Sequence, residues 1–307
     1  VSNYYHIAEQ EAAAERIARL SGLDGVFFGN SGAEANEGLI KLSRLHAHRL
    51  GIGDPVIIVM SHSFHGRTLA TLSATANLTA KAGFEPLVPG FIRVPFNDIQ
   101  TLKQVAEANS SVVAVLMEVV QGEGGVVPAE PSFVRQVRAL CDEHHWLMLL
   151  DEIQCGLGRT GAWFGYHHAG VVPDGISLAK SLGGGLPVGA FAVRQPYTTY
   201  FQPGSHGSTF GGNPLVTAGV SATLSVIEDD NLVTNAQERG TQLLDGLRCE
   251  LGGINGVVDI RGLGLMVGIE VDRPCGEIVN LALEQGVLLS VTAGNVVRLL
   301  PPLILSP

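Results

Sequence analysis

The sequence predicts an α/β protein, with a large domain built on a mostly parallel sheet flanked by helices and a smaller α+β C-terminal domain after it. Three observations carry this expectation. Short apolar runs alternate with longer amphipathic ones, as in strands buried on both faces by crossover helices. The 307 residues, 46% hydrophobic and 16% charged, suffice for one large domain and a smaller one. The 39 glycines gather at turns between these runs, where backbone takes positive φ or approaches a ligand closely.

Taken in order, Gly25–Phe28, Val56–Met60, Val112–Met117 and Trp146–Leu150 read as buried strands, and Ile176–Leu178 and Gly189–Val193 continue the sheet. Glu9–Leu20, Glu34–Leu50 and Ser132–His144 read as helices. The first closes at Ser21-Gly22, where glycine can take the left-handed cap. A helical pattern runs from Asn213-Pro214 to Glu228 and a second covers Leu232–Leu251, with strands expected at Gly256–Ile260 and Leu265–Val271. The boundary falls within the first of these helices, dividing the chain into 1–218 and 219–307.

A formal charge of −10, from 29 acidic and 19 basic residues, argues against nucleic acid or an anionic membrane as principal partner. Cys141, Cys155, Cys249 and Cys275 are widely spaced, with neither a disulfide framework nor a zinc knuckle signalled. No apolar run reaches the ~20 residues that span a bilayer, and the signal-peptide order of basic, apolar and small residues is missing. The expected compartment is the cytoplasm.

Lys180 sits in an apolar, glycine-rich stretch, Ser177-Leu-Ala-Lys180-Ser-Leu-Gly-Gly-Gly185, which predicts a desolvated amine able to form a Schiff base with an aldehyde. A solvated lysine at a strand end is the ordinary alternative. Asp151 ends the strongest apolar strand, where a buried carboxylate calls for a cation such as a pyridinium N–H, and Gln154 can donate to a ring oxygen. Ser31 can cap a helix whose first amides, at Gly32 and Ala33, would cradle a phosphate. His62-Ser-Phe64-His65-Gly66-Arg67 follows a strand end. There Phe64 can stack on a planar ring and Arg67 can clamp a carboxylate. His62 and His65 lack a third metal ligand at recognisable spacing. Gly156-Leu-Gly158-Arg-Thr-Gly161 has the dinucleotide spacing, but aromatic, glycine-broken sequence follows it in place of a helix. Ser208 and Thr209 offer hydroxyls ahead of a helix, and Arg298 stands among apolar residues as a substrate ligand or an ion-pair partner.

Ser31-Gly-Ala-Glu-Ala-Asn36, Phe64-His-Gly66, Gln121-Gly-Glu123-Gly-Gly125, Asp151-Glu-Ile-Gln154, Lys180 and Gly207-Ser-Thr-Phe-Gly-Gly-Asn-Pro214 occur in that order. The set resembles the class III aminotransferases of the fold-type I pyridoxal-phosphate enzymes, over essentially the whole chain. The resemblance implies a seven-stranded sheet, pyridoxal 5'-phosphate as cofactor and a homodimer with shared active sites. Lys180 would hold the cofactor and shuttle a proton, Asp151 would face the pyridine nitrogen, Gln154 the ring oxygen and Phe64 the ring face. Ser31, Gly32 and Ala33 would bind the phosphate, joined by Thr209 from a neighbouring subunit. Arg67, Ser208, Glu123 and Arg298 would bind substrate, Glu123 pairing with Arg298 when a substrate leaves that arginine idle.

Phe84-Glu-Pro-Leu-Val-Pro-Gly90, Pro95-Phe-Asn-Asp98 and Arg298-Leu-Leu-Pro-Pro302 favour the acetylornithine branch. That implies transfer of the δ-amino group of N2-acetylornithine to 2-oxoglutarate in arginine biosynthesis. Succinylornithine, succinyldiaminopimelate and ornithine are the alternative donors, and a non-catalytic truncated homologue is the alternative of another class. Family members carry a segment ahead of Asn3-Tyr-Tyr5 and a further C-terminal helix, both expected to be missing from this sequence.

Overall fold

The computed structural model describes residues 4–307, so the expectation placed on the chain's first residues lies in part outside the described residues. Thirteen strands and nine α-helices follow in chain order among them. The strands are β1 Gly25–Gly29, β2 Val56–Met60, β3 Phe91–Val94, β4 Val112–Glu118, β5 Val120–Gln121, β6 Val127–Pro128, β7 Leu147–Asp151, β8 Gly175–Leu178, β9 Gly189–Val193, β10 Val257–Leu263, β11 Met266–Val271, β12 Ser290–Thr292 and β13 Val296–Leu299. The helices are α1 Ala8–Ser21, α2 Gly32–Arg49, α3 Leu69–Ala74, α4 Leu78–Lys81, α5 Ile99–Ala108, α6 Pro131–His144, α7 Pro214–Asp229, α8 Leu232–Leu251 and α9 Ile278–Glu284.

The main sheet has seven strands in the order β1-β9-β8-β7-β4-β2-β3. It is parallel from β8 to β3, while β9 runs antiparallel to both β8 and β1. This is the mostly parallel α/β architecture expected. β4 and β7 are buried at every position, which is why they read as unbroken apolar runs. One core layer, including Ile58, Val115, Met148, Leu150 and Ile176, packs on α1, α6 and α7. The opposite layer, including Leu39, Val59, Leu116, Leu149 and Phe191, packs under α2.

α1 ends at Gly22 in the left-handed conformation, φ +70°, as expected. α2 opens at Ser31, whose side chain accepts from the Glu34 amide. The Gly156–Gly161 stretch folds as turns, with Gly161 against Gln237 of α8, and opens no helix.

The second sheet is antiparallel, four strands in the order β10-β11-β13-β12, over a small core of Ile260, Ile269, Cys275 and Val297. The expected boundary at 218/219 falls inside α7.

Candidate active site

The sheet's carboxyl ends open on a cavity of about 480 Å³. Four segments build it: the turn Asn30–Ala33 between β1 and α2, the loop Phe64–Arg67 after β2, the ends of β4 and β7 with Glu118, Asp151 and Gln154, and Ala179–Val188 around Lys180. These are the crevices where parallel sheets present ligand-binding loops. Glycine is required at two approaches. A Cβ on Gly189 of β9 would stand 2.1 Å from the Ser31 carbonyl oxygen, so only glycine lets that strand lie against the α2 turn. Gly66, at φ +138°, brings the Phe64 loop to Ala33, where a Cβ would come within 3.0 Å of the alanine methyl and closer still to Thr71.

Asp151 is 3% exposed. Its Oδ2 accepts from Asn36 Nδ2 at 2.7 Å and His65 Nδ1 at 2.8 Å, and its Oδ1 from the Ile153 amide at 3.1 Å. In the sequence His65 stands as a possible metal ligand and Asn36 only as part of a motif. The structure turns both onto Asp151. His65 Nε2 and Asn36 Oδ1 are themselves buried without a hydrogen-bond partner. Among the described residues no group of three or more His, Cys, Asp or Glu is arranged to hold a metal.

Lys180 is exposed, at φ +42°, the ordinary solvated arrangement that the sequence leaves open beside a desolvated amine. The flanks are buried as expected, with Leu178 and Leu182 at 0%, but they face the core while the lysine turns out into the cavity.

Two further buried carboxyls were not singled out. Glu118 accepts the Phe64 amide at Oε1 (2.9 Å) and the Gly122 amide at Oε2 (3.1 Å), and burial pushes its pKa up to about 7. Glu152 accepts the Gly165 and Tyr166 amides and is likewise pushed up to about 7 by burial.

Arg67 is exposed, lining the cavity and an adjoining space of about 460 Å³ that also holds Glu123. Arg298 Nη1, on β13, donates to Glu123 Oε1 at 2.6 Å and to Gln154 Oε1 at 3.2 Å. That links three predicted residues, from β13, from the loop after β7 and from the tip of the β5–β6 hairpin. Ser208 Oγ accepts from Asn30 Nδ2 at 3.1 Å, which ties its loop to the α2 turn. Thr209 is exposed and does not line this chain's own cavity.

The donor set fits pyridoxal phosphate. The Gly32 and Ala33 amides, in the first turn of α2, have no preceding helical carbonyl to bond and suit a phosphate. In the same cavity lie a buried carboxylate for a ring N–H, a lysine for an aldehyde and the Phe64 ring for a planar face.

Known proteins resemble this chain over its whole length. The family model for class-III aminotransferases matches residues 1–307. Acetylornithine aminotransferase 1 of Bordetella bronchiseptica is 50% identical over 305 residues, covering 99% of this chain and 78% of that protein. Ornithine aminotransferase of Toxoplasma gondii, in a structure described as having partial occupancy of PLP at its active site, overlays with TM-score 0.95 at 34% identity, covering 100% of this chain and 74% of that one. Acetylornithine aminotransferase of Elizabethkingia anophelis overlays with TM-score 0.87, also at 34% identity, covering 100% of this chain and 76% of that one. With a fold, a cofactor cavity and a whole-length family match in agreement, this chain belongs to the class-III aminotransferases, the pyridoxal-phosphate-dependent transferases of amino groups.

Proposed function

We propose that the protein transfers the δ-amino group of N2-acetyl-L-ornithine to 2-oxoglutarate, giving N-acetyl-L-glutamate 5-semialdehyde and L-glutamate, as a step of arginine biosynthesis. Relatives 42–50% identical that are named acetylornithine aminotransferase support the substrate. The observation that carries the reading is the Glu123–Arg298 pair at 2.6 Å beside Gln154 and the cavity. One pocket must accept an amine remote from its carboxylate and then an amine beside one. An acid that neutralises the arginine not in use avoids leaving a half-buried charge unpaired.

When bound, pyridoxal phosphate supplies an aldehyde that captures the substrate amine and a ring that withdraws electrons from the substrate carbon. Lys180 Nζ holds the cofactor between turnovers and then carries the proton to and from that carbon. Asp151 holds a proton at the ring nitrogen, and Asn36, His65 and the Ile153 amide fix its orientation. Phe64 covers the ring face, Gln154 binds the ring oxygen, and Ser31, Gly32 and Ala33 take the phosphate. Arg67 binds the carboxylate of acetylornithine and the distal carboxylate of glutamate, and Arg298 binds the α-carboxylate of glutamate. Ser208 assists in substrate binding.

Thr209 completes the phosphate site of a partner subunit, so the working form is a homodimer. Exposed apolar side chains support such an interface: Phe210 and Leu215 flank the Thr209 loop, each 70% exposed. Residues 1–218 act as the cofactor domain and 219–307 as the smaller one. Free thiols at Cys141, Cys155, Cys249 and Cys275 suit the cytoplasm.

The test compares kcat/KM for acetylornithine, succinylornithine and ornithine on one preparation. Free ornithine is the reading to beat, because the Toxoplasma ornithine aminotransferase overlays at the higher TM-score of 0.95. A large preference for ornithine overturns the acetylornithine assignment.

A further inference from the structure

Glu123 lies at the tip of a hairpin, in the loop joining β5 to β6. That loop rests on the second sheet in a defined place. Arg261 of β10, Gly268 of β11, Arg298 of β13 and Ser290 of β12 lie opposite one another in one row across the four strands. Residues directly opposite share a face of the sheet, so Gly268 forms a gap between two arginines. The loop fills that gap. A Cβ on Gly268 would meet Val126 Cβ at 2.9 Å and the Gly125 carbonyl oxygen at 3.3 Å.

On one side of the gap Arg298 takes the Glu123 side chain. On the other, Arg261 takes the loop's backbone. Its Nε donates to the carbonyls of Gly125 and Val126, each at 3.1 Å, and its Nη2 donates to Gly125 at 2.7 Å. The remaining Nη1 donates to Asp259 at 3.0 Å and Glu270 at 2.5 Å, which fixes the plane of the guanidinium. Thr292 Oγ1, at the end of β12, donates to the Glu123 carbonyl at 2.5 Å. The gripped backbone is strained: Val126, β-branched and fully buried, stands at φ +52°.

We propose that Arg261, aided by Thr292, is a specificity-determining positioning residue. It fixes the loop backbone on the second sheet so that Glu123 covers Arg298 and only its side chain has to move when a dicarboxylate arrives. This rests on the reading of Glu123 and Arg298 given under Proposed function. Loosening the grip leaves the Glu123 carboxylate in place chemically but spreads it over many positions. It then competes less well for Arg298, and a ligand with two carboxylates binds more tightly. General loosening of the site predicts the opposite, weaker binding of every ligand.

The experiment titrates the holoenzyme with glutarate, which has the carboxylate spacing of glutamate and no amine, by calorimetry. It uses the wild type and the Glu123→Gln, Arg261→Lys and Arg261→Lys/Glu123→Gln variants. Arg261→Lys keeps the charge beside Asp259 and Glu270 and loses the fork. The expected results are glutarate binding about three- to tenfold tighter in Arg261→Lys, and no further gain when that change is added to Glu123→Gln. A kcat/KM ratio moved towards glutamate and away from acetylornithine accompanies it. Unchanged or weaker glutarate binding in Arg261→Lys, or an equal gain in the Glu123→Gln background, overturns the proposal while leaving the reading of Glu123 intact. If Glu123→Gln itself gains nothing, the reading of Glu123 fails and the proposal with it. Should Arg261→Lys lose the fold, Thr292→Val, which removes one donor and no charge, puts the same question.

Discussion

Asp151→Asn separates the structural work of this carboxylate from its chemical work. The amide oxygen can take the Oδ2 position and keep the bonds from Asn36 and His65. The amide nitrogen then takes the Oδ1 position and faces the Ile153 N–H, donor against donor, where the carboxylate accepted at 3.1 Å. Leaving a buried donor unsatisfied costs about 1–3 kcal/mol. The chemical loss is separate, because a neutral amide no longer stabilises a cationic ring N–H. A neighbouring carboxylate contributes about 1–3 pKa units to such a proton, so kcat should fall about 10- to 1000-fold. Urea denaturation of the cofactor-free protein reads the first effect, and single-turnover kinetics at saturating cofactor reads the second. Full kcat in a variant whose midpoint has dropped would refute the ring-nitrogen role and leave Asp151 a structural residue.

Gly189→Ala should lower stability by about 1–3 kcal/mol and weaken cofactor binding together, because its methyl would press on the Ser31 carbonyl at 2.1 Å; thermal melts and a cofactor titration check it. Lys180→Ala should leave the melting temperature nearly unchanged, because the side chain is exposed, while abolishing turnover and borohydride fixation of the cofactor. The pH dependence has a definite sign. Burial raises Glu118 and Glu152 from an ordinary 4.5 to about 7, so the folded state holds their protons where the unfolded chain releases them. The associated stability is fully present below 4.5 and is lost as pH rises through about 7, by at most about 3 kcal/mol per group. Urea midpoints between pH 5 and pH 8 should therefore decline less in Glu152→Gln than in the wild type, and an equal decline would contradict the assignment.

What the sequence made legible follows from how each residue is buried. β4 and β7 are covered on both faces, so every position before the carboxylate that ends each strand is apolar and the runs stood out. β3 is an edge strand paired only with β2, and its Arg93 donates to the carbonyls of Ala74 and Thr75, which breaks the apolar signal. The motif residues at the cavity were legible because glycine and small side chains leave a pattern. The residues that hold Asp151 were not, since His65 meets it across 86 positions and nothing local marks that meeting. Asn36 did carry a signal. It lies on the α2 stripe with Leu39, Ile40 and Ser43, all buried, where an unpaired amide would be costly. A polar residue on that stripe demands a buried partner.

The backbone strain has its own distribution. Eight described non-glycine residues have positive φ, and four of them border the candidate site: His62, two residues before Phe64; Val126, beside the Glu123 loop; Lys180; and Ala293, next to Thr292. His145 ends a helix in the left-handed form, which is a common stop, but three of these four sit in loops and Lys180 opens a short 3-10 turn, Lys180–Gly183. A left-handed L-residue costs about 1–2 kcal/mol, so each must be held by its surroundings. Lys180 has buried Leu178 and Leu182 on either side, and Val126 has Arg261 on its carbonyl. Lys180 lines the same cavity as Asp151, and Val126 closes the loop whose Glu123 meets Arg298. Lys180 and the Glu123 loop thus share one device: left-handed backbone, flanked by buried leucines in the first and held by Arg261 of the second sheet in the other.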